Sequence, residues 1–240
     1  MKTMQTFPVR GFTMVEMAVV LVIVGLMLGA SVLPLSVQAD LRDYAETRRN
    51  MEEIKEALVG YALSHGHFPC PAKSLADGTE DRTGAACTGG KRVGYLPWAE
   101  LGVGKLDGWG HLFRYSVTLA FADSVMKIGL SPLTARDITI ETRDSAGNIQ
   151  HLSTVNGVPV AIVSMGKNGA WAYTADGAQV ADMSATNLDE DTNGKGNGKI
   201  FVSRTVTSNI AAAGGEFDDI AAWISPNVYL NRMVAAGQLP

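Results

Sequence analysis

The sequence has few residues of the types that usually build catalytic or transition-metal sites. It contains four histidines and two cysteines in 240 residues. The histidines are His65, His67, His111 and His151, and they form neither a nucleophile–base pattern nor a metal-ligand pattern. We therefore predict that the protein is not an enzyme.

The chain also lacks a strong excess of charge of either sign. Its 20 basic and 24 acidic residues give a formal net charge of -4, and the isoelectric point is near 5.6. Proteins that bind nucleic acid or anionic lipid through general electrostatics usually carry a basic surface. The composition therefore gives no reason to expect a nucleic-acid partner.

Charged residues are absent from a long stretch near the N-terminus. No Asp, Glu, Lys or Arg stands between Glu16 and Asp40, and the run Met17–Leu33 is predominantly apolar. An apolar helix of about 20 residues reaches roughly 30 Å, the thickness of the hydrocarbon core of a bilayer. Lys2 and Arg10 precede the run without any acidic residue before Glu16. We therefore predict one membrane span with a cytoplasmic N-terminus.

One acid, Glu16, lies at the start of this stretch and follows Gly11-Phe12-Thr13-Met14-Val15. An unpaired carboxylate in a membrane costs about 2.5–3.5 kcal/mol, so Glu16 needs a partner or a function there. These residues and the apolar run resemble the cleavage and methylation site of type IV prepilins and type II secretion pseudopilins. The resemblance implies that a prepilin peptidase cuts after Gly11 and methylates the new terminal amine of Phe12. In an assembled bundle, that amine can neutralise the Glu16 carboxylate of a neighbouring subunit.

Two other interpretations of the same stretch stay open. An ordinary secretory signal would be cleaved after Ala39, although the apolar run is long for such a signal and Ala39 lies far behind it. An unprocessed single-span anchor would need only the apolar run. The combination of glycine, aromatic residue, acid spacing and apolar helix favours prepilin processing.

The residues beyond Asp40 show the periodicity of an amphipathic helix that continues the apolar one. Residues at spacings of four and three share one face, and they are Thr47, Met51, Ile54, Leu58 and Tyr61. Gly66 marks the end of this helix. We predict one long helix whose second half packs its apolar face on a β-sheet.

Three further segments resemble the globular domain of pilins and pseudopilins. Residues 107–115 are similar to the family's turn into the first sheet strand, with Gly108 in place of a proline. Residues 164–169 resemble the turn after a central strand, and residues 217–224 resemble the closing strand. The resemblance implies an α+β, pilin-like fold with a long N-terminal helix on an antiparallel sheet and a short C-terminal helix. It is nearest to the major pseudopilin G type, with insertions.

These features divide the chain into four predicted parts. Residues 1–11 form the leader, and residues 12–34 form the transmembrane and filament-core helix. Residues 35–66 form the amphipathic half of the same helix, and residues 67–240 form a periplasmic globular domain.

The two cysteines, Cys70 and Cys87, both follow the predicted span and so lie on its outer side. An oxidising compartment favours a disulfide between them. A loop of this size would stabilise the fold by roughly 3 kcal/mol on the chain-entropy model. A zinc site that includes His65 and His67 is the alternative, although the spacing matches no common zinc module.

The run from Asp189 to Gly194 supplies oxygen ligands at alternate positions and ends on a glycine suited to a sharp turn. Asp189, Asp191 and Asn193 thus match the first half of a calcium loop, and Asp218 of the closing segment is a further candidate ligand. A complete EF-hand is not expected, because Ile200 stands where the closing glutamate would be. Major pseudopilins carry a calcium-organised loop in this interval, so the resemblance implies a calcium site here. A solvated Asn-Gly hairpin loop without metal is the alternative.

The function that the resemblance implies is mechanical. The chain would be a structural subunit of a type II secretion pseudopilus or a type IV pilus, held by one span in the bacterial inner membrane until it packs helix to helix into a filament. Its implied partners are prepilin peptidase, other pilin or pseudopilin subunits and the inner-membrane assembly platform. The alternative is a minor pilin that acts as a ligand-binding or adhesive module at the filament tip.

Overall fold

The computed structural model describes residues 11–125, 136–153 and 157–237, except for the side chains of residues 28–36. The described residues form two compact units, of which the first ends at Arg42 and the second begins at Asp43. Most of the predicted leader, residues 1–10, lies outside the described residues. The helices of the described ranges are α1 (Met14–His65), α2 (Trp98–Leu101), α3 (Leu119–Ala122), α4 (Leu188–Lys195) and α5 (Pro226–Ala235). The strands are β1 (Arg82–Thr83), β2 (Ala86–Cys87), β3 (Val93–Tyr95), β4 (Arg114–Val117), β5 (Thr139–Arg143), β6 (Ile149–His151), β7 (Val160–Ser164), β8 (Ile200–Val202) and β9 (Ile220–Trp223).

The first unit contains the beginning of α1, which confirms a helix at the predicted position. Its apolar side chains are exposed, among them Met17, Leu21, Val22, Leu26 and Met27. None of the helices in the described part of the chain is both long enough and apolar enough to cross a membrane. The membrane span predicted for residues 12–34 stays a prediction.

The second unit packs its part of α1 on a four-stranded antiparallel sheet with the order β3-β4-β7-β9. The predicted helix face is buried, because Thr47, Met51, Ile54, Leu58 and Tyr61 are each at most 9% exposed. Alternate residues of β4 and β7 join this face in one core, and they include Tyr115, Val117, Val160 and Ile162. Burying each large apolar side chain contributes roughly 1.5–3 kcal/mol. Helical and strand periodicity thus meet in one apolar layer, as the sequence predicts.

A second, three-stranded sheet with the order β6-β5-β8 lies in the same unit. The β5 and β6 strands pair antiparallel and form a hairpin. The β5 and β8 strands pair parallel, so the sheet is mixed rather than purely antiparallel. Side chains of Ile138, Ile140 and Phe201 pack against Ala161 and Val163 of β7 and form a second core. The β7 strand of the four-stranded sheet is therefore buried on both faces.

The segment predicted as a calcium or hairpin loop is a helix, so the loop prediction is wrong. Leu188–Lys195 forms α4, with Asp189, Glu190 and Asp191 in its first turn and Lys195 in its last. Acids at the start of a helix and a base at its end interact favourably with the helix dipole. Gly194 lies inside α4, at a position that suits glycine because a Cβ there would come within 2.5 Å of the Trp171 side chain. Tertiary contact therefore overrides the local Asn-Gly turn signal.

The predicted C-terminal helix is confirmed as α5, with Pro226 in its first turn. Its Tyr229 ring is fully buried and packs edge to face on Phe68 and Phe121. These contacts attach α5 to the core that contains α1. The α+β class, with an N-terminal helix on a sheet and a short C-terminal helix, is therefore confirmed.

Candidate functional site

The N-terminal motif begins with a reciprocal cap on α1. The Thr13 backbone N–H and hydroxyl both donate to Glu16 Oε2, at 2.8 and 2.9 Å, and the Glu16 backbone N–H donates to Thr13 Oγ1 at 3.2 Å. This is a capping box, which satisfies backbone donors that the first helical turn leaves unpaired. The spacing Thr13-Met14-Val15-Glu16 carries the capping signature in the sequence, and sequence reasoning missed it. Glu16 therefore has a local role as a cap besides any role in assembly.

The two residues at the predicted cleavage site precede this cap and lie outside the helix. Gly11 and Phe12 are both exposed, and the Phe12 side chain is 81% exposed. An exposed, non-helical peptide bond is accessible to a peptidase. A group of exposed apolar side chains follows on the first turns of α1, and it consists of Met14, Val15, Ala18, Val19, Val22 and Ile23. A contiguous exposed apolar surface of this kind marks contact with protein or membrane.

The two cysteines are joined, which confirms the predicted disulfide. The Cα atoms of Cys70 and Cys87 lie 5.4 Å apart, and the sulfurs are bonded. Bonded sulfurs are not thiolate ligands, so the zinc alternative with cysteine ligands is wrong. The imidazole of His67 contacts Arg82 and the Phe68 carbonyl oxygen instead.

The residues predicted to bind calcium are held apart by separate partners. Asp189 forms ion pairs with Arg143 and Arg204, each at 2.8 Å. Asp191 accepts a hydrogen bond from Trp171 Nε1 and pairs with Lys195. The Asn193 side chain donates to Asp219 and to the Val202 carbonyl oxygen, and it accepts from the Val202 backbone N–H. The oxygens of Asp189, Asp191 and Asn193 therefore do not converge on one point.

A different group of acids does converge, and we call Glu190, Asp218 and Asp219 the acidic centre. One carboxylate oxygen of each lies within 4.8 Å of the others. Among the described residues, this is the one group of three or more His, Cys, Asp or Glu side chains with such a spacing. Asp219 is only 4% exposed, and its Oδ1 has no hydrogen-bond partner. Asp218 Oδ1 likewise lacks a partner. Sequence reasoning included Asp218 as a further ligand but missed Glu190 and Asp219.

Protonation is one way to relieve the repulsion between the carboxylates of the acidic centre. Burial is the main cause that raises the pKa of the Asp218 carboxyl to about 7, and the negative charge of Glu190 is a further cause. Burial also raises the pKa of Asp219 well above its ordinary value. Carboxylate oxygens are the ligands that calcium prefers. Either protons or a divalent cation can therefore relieve the repulsion between these carboxylates.

Two of the segments that resemble pilins are joined by a buried hydrogen bond. Ser164 Oγ donates to Asp107 Oδ2 at 2.6 Å, and Asp107 Oδ1 accepts the backbone N–H groups of Trp109 and His111. The His111 ring contacts the Gly166 carbonyl oxygen, and no hydrogen bond joins it to Ser164 among the described residues. The Ser164 hydroxyl thus donates to the Asp107 carboxylate and not to the His111 imidazole. This arrangement fixes the 107–111 turn to the end of β7.

Comparison with known proteins identifies one matching family model. The model of the prokaryotic N-terminal methylation motif matches residues 8–32, which include Gly11, Phe12 and Glu16. No curated protein and no solved structure matches the chain. The match suggests a type IV pilin-like protein that is processed by prepilin peptidase, and such proteins are structural rather than enzymatic.

Proposed function

We propose that the protein is a filament subunit of a type II secretion pseudopilus or a type IV pilus. The methylation-motif match over residues 8–32 is the observation that carries the proposal. The exposed apolar surface on the first turns of α1 supports it, because such a surface needs a covering partner. In the assembled filament, the covering partner is the same helix of neighbouring subunits.

Before assembly, residues 12–34 anchor the subunit in the bacterial inner membrane. The N-terminus faces the cytoplasm, where Lys2 and Arg10 stay, and the domain that begins beyond the helix faces the periplasm. The Cys70–Cys87 disulfide supports this placement, because disulfides form and persist in oxidising compartments. The inner-membrane assembly platform then passes the subunit into the filament.

Processing creates the chemistry that assembly uses. Cleavage after Gly11 leaves a cationic, methylated amine on Phe12, close to a membrane face. Glu16 uses Oε2 for both hydrogen bonds from Thr13, and Oε1 takes part in neither of them. A neighbouring subunit's amine reaches Glu16 through Oε1 without breaking the cap. This pairing removes most of the cost of a buried carboxylate and fixes the axial register of the helices.

The test of the proposal is the chemical state of the mature N-terminus. The full chain is expressed with and without a prepilin peptidase, purified from membranes and measured by intact mass and N-terminal peptide analysis. We expect a chain that starts at Phe12 with a methylated amine only when the peptidase is present. A mature start at Asp40 would indicate ordinary secretory cleavage, and an intact Met1 in the presence of the peptidase would indicate a plain anchor. Either result would refute the filament proposal.

A further inference from the structure

A cavity of about 300 Å³ lies at the edge of the four-stranded sheet. Its floor comes from β3 and β4, where Tyr95 pairs with Arg114 across the strands. Tyr115 packs in the core with α1, so its neighbour Arg114 points to the opposite face. The cavity is lined by Lys91, Tyr95, Arg114, Trp171, Tyr173 and Gln179, together with smaller residues.

Arg114 is distinguished from the other arginines of the sheet region by what its guanidinium contacts. Arg82, Arg92, Arg143 and Arg204 have mostly buried side chains, and each forms an ion pair with a carboxylate. Arg114 forms no ion pair within the described ranges, although the negative charge of Asp219 in the acidic centre acts on it at longer range. Its Nη2 donates to the Gly196 carbonyl oxygen at 2.6 Å, and its buried Nε has no acceptor. A guanidinium without a carboxylate partner at the floor of a cavity is suited to bind an anion.

Trp171 forms one wall of the cavity and has an unusual backbone. Its φ is 67°, and it is the one described non-glycine residue with positive φ. Such a conformation costs on the order of 1–3 kcal/mol and often occurs at functional sites. Asp191 accepts a hydrogen bond from the indole Nε1, and Lys195 Nζ lies 4.5 Å from the ring centre. The indole is therefore held rigidly in place against α4.

Two further aromatic rings line the cavity. The rings of Tyr95 and Tyr173 meet edge to face with centroids 5.3 Å apart. At the rim, Lys91 Nζ donates to the Ala72 carbonyl oxygen and lies 3.4 Å from Asp81. Ligand sites are commonly cavities of about 300–1,000 Å³ with aromatic walls and a few polar groups that fix orientation. The walls and the single unpaired cation fit this description.

We propose that this cavity binds a small ligand in which a carboxylate is attached to a six-membered ring. The carboxylate accepts hydrogen bonds from the Arg114 guanidinium, and the ring packs against Trp171 and Tyr173. One planar cation without a second unpaired base favours a single carboxylate over a phosphate dianion. An acidic sugar and an aromatic acid share this chemistry. None of the residues that line the cavity belongs to α1.

Calorimetric titration of the full chain in detergent tests the site with four probes. Glucuronate and benzoate carry the carboxylate on a sugar ring and an aromatic ring, and glucose and benzyl alcohol are their neutral counterparts. We expect at least one acid to bind in the millimolar range or below, with at least about tenfold higher affinity than its neutral counterpart. Tighter binding of glucuronate identifies an acidic sugar, and tighter binding of benzoate identifies an aromatic acid. Absence of binding by both acids at about 10 mM refutes the proposal.

Three variants connect the binding to the cavity. Arg114→Lys keeps the charge but removes the planar donor pair, and it should lower the affinity for the acid at least about tenfold. Gln179→Glu adds a negative charge, like that of the acid, at an exposed position of the cavity lining. It should lower the affinity for the acid several-fold, and the effect should be larger at low salt. Arg92→Lys is the matched control, since Arg92 pairs with Asp137 outside the cavity. If Arg114→Lys does not fold, Gln179→Glu decides alone. Wild-type affinity in the folded cavity variants overturns the proposal.

Discussion

Gly108 lies where the 107–111 turn approaches α1 most closely. Its backbone N–H donates to Thr47 Oγ1 at 2.9 Å, and Thr47 in turn donates to the Asp43 carbonyl oxygen. A Cβ on Gly108 would overlap that carbonyl oxygen and come within 2.8 Å of the Asp43 carbonyl carbon. The resembling turns of pilins carry a proline at this position. The sequence alone shows the replacement, whereas its reason is a backbone contact across 61 positions of the chain.

We therefore predict that Gly108→Ala destabilises the second unit. The added methyl group meets backbone atoms that cannot rotate away, and overpacking of this kind costs about 1–3 kcal/mol. Gly104→Ala is the matched control, because a Cβ at Gly104 would meet nothing within 4 Å. Urea unfolding of the full chain in detergent gives the two free energies of unfolding. Equal stability of the two variants would show that the helix and the turn can separate without cost.

The elements of the fold that local periodicity encodes were predictable from the sequence. The buried face of α1, the β5–β6 hairpin and α5 all follow from residues close together in the chain. The parallel pairing of β5 with β8 was not predictable from the sequence, because it joins segments about 60 residues apart through the second core. Local patterns carry no signal for such a pairing.

The calcium ligands predicted from the sequence show the same limit on a single element. Ligands at every second position converge in an extended loop, whereas in an α-helix they point about 200° apart. Because α4 is a helix, Asp189 and Asp191 lie on different sides and take different partners. Glu190 instead meets Asp218, whose backbone N–H donates to it at 2.8 Å. That contact spans 28 positions and depends on where β9 enters the sheet.

The acidic centre between α4 and β9 should make the stability of the fold depend on pH. The pKa of Asp218 is about 7 in the folded chain and ordinarily 3.8, so the folded state holds a proton that the unfolded state releases. Stability must then fall as pH rises from 3.8 towards 7. The expected loss is on the order of 2–4 kcal/mol for this group. The free energy of unfolding can be measured by urea unfolding across this pH range in the presence of a chelator. Asp218→Asn should make this free energy depend less steeply on pH, while the exposed control Glu100→Gln keeps the wild-type dependence.

Calcium should replace the proton at the same place. We predict that calcium raises the melting temperature at neutral pH by mass action, over a range that includes about 10⁻⁴–10⁻³ M, and that magnesium does not. Asp219→Asn should abolish the response. Asp191→Asn should keep it, because Asp191 contacts Trp171 and Lys195. A response that depends on Asp191 would restore the ligand set predicted from the sequence, and no response in any chain would leave the centre as a proton site.

At the scale of the whole molecule, the chain combines two units with different surfaces. The first unit exposes apolar side chains from Met14 to Met27, whereas the second contains two apolar cores and also exposes apolar side chains such as Met183 and Ile210. The apolar surface of the first unit therefore needs partners. On the proposed function, those partners are lipid before assembly and the same helix of other subunits afterwards.

Glu16 connects this surface to assembly, and its two roles can be separated by substitution. Glu16→Ala removes both the cap to Thr13 and the charge, whereas Glu16→Gln keeps an oxygen for the cap and removes only the charge. We predict that both variants insert and are cleaved after Gly11, because the acid is not needed for either step. Both should fail to enter filaments, because the Phe12 amine of a neighbouring subunit loses its anionic partner. Burying a charged group in a membrane without such a partner costs about 2.5–3.5 kcal/mol. Shearing cells and measuring the sedimented fraction, with Glu53→Gln as an exposed control on the same helix, reports assembly. Recovery of filaments by Glu16→Gln would mean that the cap, and not the ion pair between subunits, is what assembly requires of Glu16.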